Sequence, residues 1–84
     1  MDKVNTKNLL GKVIVSEAGR RLGVVGDLHF ITESGELLNI VLDQPTKQAT
    51  DLGLSEDDNG RLLIPFSAVK SVGDFIIISE RDIV

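Results

Sequence analysis

Gly19-Arg20-Arg21-Leu22-Gly23-Val24-Val25-Gly26-Asp27-Leu28-His29-Phe30-Ile31-Thr32-Glu33-Ser34-Gly35-Glu36-Leu37-Leu38-Asn39-Ile40-Val41-Leu42 decides the fold of this chain. Two apolar, β-branched runs flank the polar turn Glu33–Glu36, the pattern of a β-hairpin. From Gly26 the first run alternates, Leu28 and Phe30 on one face and Asp27 and His29 on the other, as a half-buried strand does. Gly23 and Gly26 lie inside that run, where glycine marks a bulge or a tight bend. Small barrels need such bends to curve and close. In the second run only Asn39 is polar among Leu37 to Leu42, so both of its faces are mostly apolar. A strand of that kind is normally covered on both sides.

Working outward, residues 1–8 read as a polar arm, without the apolar region of a signal peptide. Val13-Ile14-Val15 reads as a short strand. Ser16-Glu17-Ala18-Gly19 reads as a turn with Gly19 at positive φ. The interval from Asp43 to Gly60 is too long for a plain hairpin loop. A short strand or turn is expected near Leu52–Leu54, followed by an acidic hairpin tip at Asn59-Gly60, a strong two-residue turn signal. Arg61 to Phe66 reads as a strand that Pro65 ends or places at an edge. One helical turn is expected over Ser67–Val72, with Ser67 as a candidate N-cap. After the turn at Gly73-Asp74, Phe75 to Ser79 is the last strand. The expectation is a single all-β domain over residues 1–84. It is a small barrel of five to six short antiparallel strands with at most one short helical turn.

The chain has 84 residues, no cysteine and a net charge of −4. Disulfides and thiolate metal sites are therefore excluded. The missing cysteine fits a cytoplasmic location. Apolar runs reach only about four residues, too short for a membrane helix. The acidic balance argues against nucleic acid, whose phosphates are held by basic footprints. The charge is uneven, however. Over residues 1–21 five cations face two anions, and over the rest four cations face eleven anions. Lys12, Arg20 and Arg21 form a local basic edge.

Catalytic and ligand motifs are missing. The Gly19, Gly23, Gly26 spacing is not the dinucleotide fingerprint, and no helix pattern follows it. His29 is the only histidine, and Asp27 is the only other ligand type near it on that strand face, fewer than a metal site needs. No nucleophile-elbow motif occurs. Aligned as a calcium loop through Gly60, the acidic run would begin at Ser55 and end at Phe66, neither of which supplies a carboxylate. No cofactor is expected.

Three stretches carry a family resemblance. They are Gly11-Lys12-Val13 with Gly19 and Leu22 to Leu28; Gly35-Glu36-Leu37 leading to Ile40-Val41-Leu42; and Ile64 to Val69 with Val72 to Ile78. In this order they resemble the PRC-barrel domain, the small β-barrel named after the photosynthetic reaction centre, over nearly the whole chain. The resemblance implies a non-enzymatic protein-protein interaction adaptor. Its branches include the reaction-centre H subunit, with a membrane helix this sequence lacks, and the ribosome maturation factor RimM, with a preceding barrel this sequence lacks. The stand-alone archaeal type, similar to cell division protein B, implies a role in cell division through a filament anchor such as SepF. That role would bring the chain to membrane-associated assemblies through a partner. A ribosome-assembly or RNA-associated role, using Lys12, Arg20 and Arg21, is the alternative.

The strand phases add an expectation about surfaces. With Leu38, Ile40 and Leu42 inward, Leu37 and Val41 point outward. With Phe75 and Ile77 inward, Ile76 and Ile78 point outward, with Ile83 and Val84 close behind. An exposed apolar patch of that kind marks an interaction surface, and a twofold homodimer is the commonest way to cover it.

Overall fold

A computed structural model describes residues 8–83. Seven strands form one sheet: β1 (Val13–Ser16), β2 (Arg21–Phe30), β3 (Leu37–Asp43), β4 (Ser55–Glu56), β5 (Leu62–Pro65), β6 (Val69–Val72) and β7 (Phe75–Ile78). A five-residue helix, α1 (Lys47–Asp51), and the 3-10 turns Phe66–Ala68 and Glu80–Asp82 lie between and after the strands. The expected polar arm, residues 1–7 in particular, lies outside the described residues, as does Val84.

The sheet order is β4-β5-β3-β2-β1-β7-β6, and one connection shows that it curls. In that order β5 and β6 stand five strand spacings apart, about 24 Å on a flat sheet. Yet only the turn Phe66–Ala68 joins Pro65 to Val69, a span of at most about 14 Å. The two sides of the sheet must therefore come round toward each other. A 2.8 Å hydrogen bond from the Ser79 amide to the Ala68 carbonyl ties the turn to the residue that follows β7. The architecture is the expected small all-β barrel, with seven strands rather than five or six. It is not wholly antiparallel: β1 and β7 pair in parallel, Ile14 beside Ile76 and Ser16 beside Ile78.

The glycines of β2 act as read. Gly26 is the extra residue of a bulge, because Val25 pairs with Leu42 and Asp27 with Val41. A second bulge lies beside Gly23, where Ile14 pairs with Gly23 and Val15 with Arg21. Gly19 has a φ of 81° in the β1–β2 turn, whose amides at Ala18 and Arg20 donate to the buried Ser16 hydroxyl.

The interval after β3 differs from expectation. Thr46 caps α1, accepting from the Ala49 amide and donating to the Arg21 carbonyl at 2.6 Å. Ala49 is fully buried. A helix this short leaves no apolar periodicity for sequence reading to detect. The turn expected at Ser67–Val72 resolves into a 3-10 turn ending at Ala68 and the strand β6. The acidic hairpin tip is present between β4 and β5. There Asp57 accepts from the amides of Asn59 and Arg61, and Gly60 has a φ of 78°.

One apolar core fills the curl: Leu9, Ile14, Leu22, Val25, Ile40, Leu42, Leu54, Ile64, Ala68, Ile76 and Ile78, with Ala49 beneath α1. At about 25 cal/mol per Å² of apolar area removed from water, this cluster is the main favourable contribution to folding.

Candidate interaction surface

The strand phases decide which apolar side chains face solvent, and they correct the sequence expectation in two strands. In β7, Ile76 and Ile78 are fully buried and Phe75 is 53% exposed. The cause is the parallel pairing with β1. Ile14 must face the core, and its register partner Ile76 shares its side. In β3, His29 pairs with Asn39 and Phe30 with Leu37, which makes Leu38 the extra residue of a bulge. Leu38, expected inside, is 48% exposed. Leu37, expected outside, packs half-buried against the core.

Val41 does point away from the core cluster, but it is buried. It lies between Asp27 on β2 and Leu63 on β5. It lines a groove of about 360 Å³ with Gly26, Asp43, Pro45, Arg61 and Leu62. Arg61 reaches across β3 to Asp27, Nη1 to carboxylate 3.8 Å, and also binds Asp57 through Nε at 2.9 Å. Ile83 packs half-buried against the core. Of the six residues expected to form the surface, Val41, Ile76 and Ile78 are therefore interior. Leu37 and Ile83 are half-covered by the chain itself, and Val84 lies outside the described residues.

The outward apolar residues are a different set. Val13 pairs with Phe75 and Val15 with Ile77 across the β1–β7 ladder, and Val13 also pairs with Val24 on β2. All five alternate with core residues and none belongs to the core cluster. They form an apolar stripe over three adjacent strands, half-buried at Val13, Val15, Val24 and Ile77 and exposed at Phe75. An exposed apolar group lies at the β2–β3 hairpin end: Phe30 at 44%, Ile31 at 39% and Leu38 at 48%. The sequence carries the signal for both groups. What it lacks is the register that assigns each apolar residue to a side.

The basic edge is partly spoken for. Lys12 Nζ donates to the Gly73 carbonyl, while Arg20 is exposed just before β2 and Arg21 at its start. His29 is a half-buried strand residue opposite Asn39. Among the described residues no group of three or more His, Asp or Glu is placed to hold a metal ion. The Asp57 carboxyl is held below its ordinary pKa, first by the Arg61 amide, whose effect desolvation opposes, and further by the Asn59 amide and the Arg61 side chain. That arrangement fixes a turn. No helix among the described residues is long and apolar enough to cross a membrane.

No curated protein matches the chain. Among family models, the PRC-barrel domain matches residues 1–82. Its members are small protein-interaction modules, generally without catalytic activity. With a curled seven-stranded sheet, one core and a match over nearly its full length, the chain belongs to the PRC-barrel domain family.

Proposed function

We propose that this chain is a non-catalytic adaptor that works as a homodimer, with the β1–β7 face as its self-association surface. The observation that carries the reading is the stripe of Val13, Val15, Val24, Phe75 and Ile77, outward on three adjacent strands. A contiguous apolar face that is partly open to solvent, here centred on the exposed Phe75, suits an interaction surface, and a twofold axis covers one patch with its own copy. The stripe takes the role that the strand phases alone assign to Leu37, Val41, Ile76, Ile78, Ile83 and Val84. The setting we propose for such an adaptor is archaeal cell division, through a filament anchor such as SepF, in the cytoplasm and at membrane-associated assemblies. The ribosome-associated alternative would have to rely on Arg20 and Arg21, since Lys12 is engaged with Gly73, and the net charge of −4 weighs against it.

The test is size-exclusion chromatography with light scattering at micromolar concentration. A dimer has twice the 9.1 kDa chain mass, and Phe75→Ser with Ile77→Ser returns it to monomer. A monomer mass for the unsubstituted chain overturns the self-association reading.

A further inference from the structure

The β2–β3 hairpin extends beyond the strands on either side of it. β1 pairs with β2 only over Arg21–Val24, and two further hydrogen bonds link Val25 to Gly11 and Lys12. β5 pairs with β3 only over Asn39–Val41. Past these points, Asp27–Phe30 on one side and Leu37–Leu38 on the other have no strand beside them among the described residues. The arm is apolar where a protruding ribbon is usually polar: Phe30, Ile31 and Leu38 are all exposed. The Leu38 bulge exposes a leucine that regular alternation would turn inward.

The charge on this arm is of one sign. No lysine or arginine occurs from Leu22 to Thr46, while Asp27, Glu33, Glu36 and Asp43 do. All four carboxylates are exposed. Asp27 faces Arg61, but Glu33 and Glu36 form no ion pair among the described residues. An apolar ribbon with an acidic tip and a backbone edge that no described strand covers, its Leu28 amide held only by the neighbouring Asp27 carboxylate at 2.8 Å, selects its occupant by charge. A second copy in a twofold contact brings the same acidic arm and meets like charge. Nucleic acid and anionic lipid are repelled for the same reason.

We infer that the β2–β3 arm binds an extended, cationic segment of a partner protein, one that alternates lysine or arginine with apolar residues. The segment adds to the open edge of β2, seats its apolar residues against Phe30, Ile31 and Leu38, and neutralises Glu33 and Glu36. The inference rests on the reading of the chain as an interaction module but uses a surface separate from the β1–β7 stripe.

The probe is a short fluorescent peptide alternating lysine with valine, titrated with the full chain by anisotropy. Its counterpart alternates glutamate with valine. The cationic peptide binds and the anionic one does not. Binding weakens many-fold from about 0.01 M to about 1 M salt, as the screening length falls from roughly 30 Å to roughly 3 Å. Glu33→Lys with Glu36→Lys, in an exposed turn that leaves the melting temperature unchanged, loses about tenfold or more in affinity. Phe30→Ser with Leu38→Ser loses a similar factor. Failure of the cationic peptide to bind, equal binding of the two peptides, or affinity unchanged in either double variant overturns the inference. The light-scattering mass of both variants stays that of the parent. A mass change in the Phe30/Leu38 variant identifies a second copy as the occupant and overturns it as well. A monomeric parent chain leaves the peptide titration fully readable, so the two readings fail separately.

Discussion

Gly23 lies against Asp43 so closely that a Cβ on Gly23 would sit 2.6 Å from the Asp43 carbonyl oxygen and 2.9 Å from a Leu42 methyl. Its φ of 153° is also one that side chains rarely adopt. The contact joins the bulge in β2 to the end of β3. Gly23→Val therefore destabilises by at least the about 1–3 kcal/mol typical of local strain, because a backbone oxygen cannot move aside as a side chain would. In a domain of this size each kcal/mol lowers the melting temperature by roughly 4–8 °C. Gly73→Ala is the control. Nothing lies within 4 Å of the position, and the change stays within about 0.5 kcal/mol. Equal melting temperatures for parent and Gly23→Val would refute the close approach.

The phase of β7 is tested by two neighbouring residues. Ile76 is fully buried and Phe75 is 53% exposed. Ile76→Ala removes core atoms and costs about 2–5 kcal/mol. Phe75→Ala costs the isolated chain far less, although it removes the larger side chain. The opposite order in chemical denaturation would restore the phase that the sequence alone implies.

That phase error shows where sequence reading runs out. Phe75-Ile76-Ile77-Ile78 is apolar throughout, so no alternation marks its buried side. Only the parallel ladder to β1, made by residues some sixty positions away, settles it. Leu37-Leu38 was ambiguous for a related reason. The bulge at Leu38 inverts the alternation locally, and unlike the bulge at Gly26 it contains no glycine to announce it. By contrast the turns at Gly19 and Asn59-Gly60 and the bends at Gly23 and Gly26 were legible, because a particular backbone geometry requires those residue types. α1 was hidden because its five residues form scarcely more than one turn, and its main packing residue is the single Ala49.

Gln44 is the one non-glycine described with positive φ, at 49°. It follows β3, with its amide held by the Asp43 carboxylate at 2.9 Å. Left-handed backbone costs a residue with a Cβ roughly 1–2 kcal/mol, and glycine escapes that cost while losing about 0.5–1 kcal/mol of chain entropy. Gln44→Gly is therefore neutral to stabilising, by up to about 1 kcal/mol. Gln44→Val, β-branched and strained in this region, lowers the melting temperature. The same ranking should hold across urea and thermal unfolding, and a stabilising valine would contradict the assigned conformation.

Asp57 makes stability depend on pH in a direction that can be worked out. Its carboxylate accepts from the Arg61 and Asn59 amides and from Arg61 Nε. Those bonds favour the ionised form and lower the folded-state pKa below the ordinary 3.8. The unfolded chain consequently takes up the proton at higher pH than the folded one, so acidification favours unfolding. The contribution is complete above the ordinary carboxylate range and is lost as pH falls through the folded-state value. Asp57→Asn removes the charge that responds. The melting temperature of the parent should exceed that of Asp57→Asn at neutral pH, and the gap should close as the solution is acidified below the ordinary aspartate pKa. A parent-to-Asp57→Asn difference that stays constant from neutral to strongly acidic pH would mean that the carboxylate does not organise the β4–β5 turn.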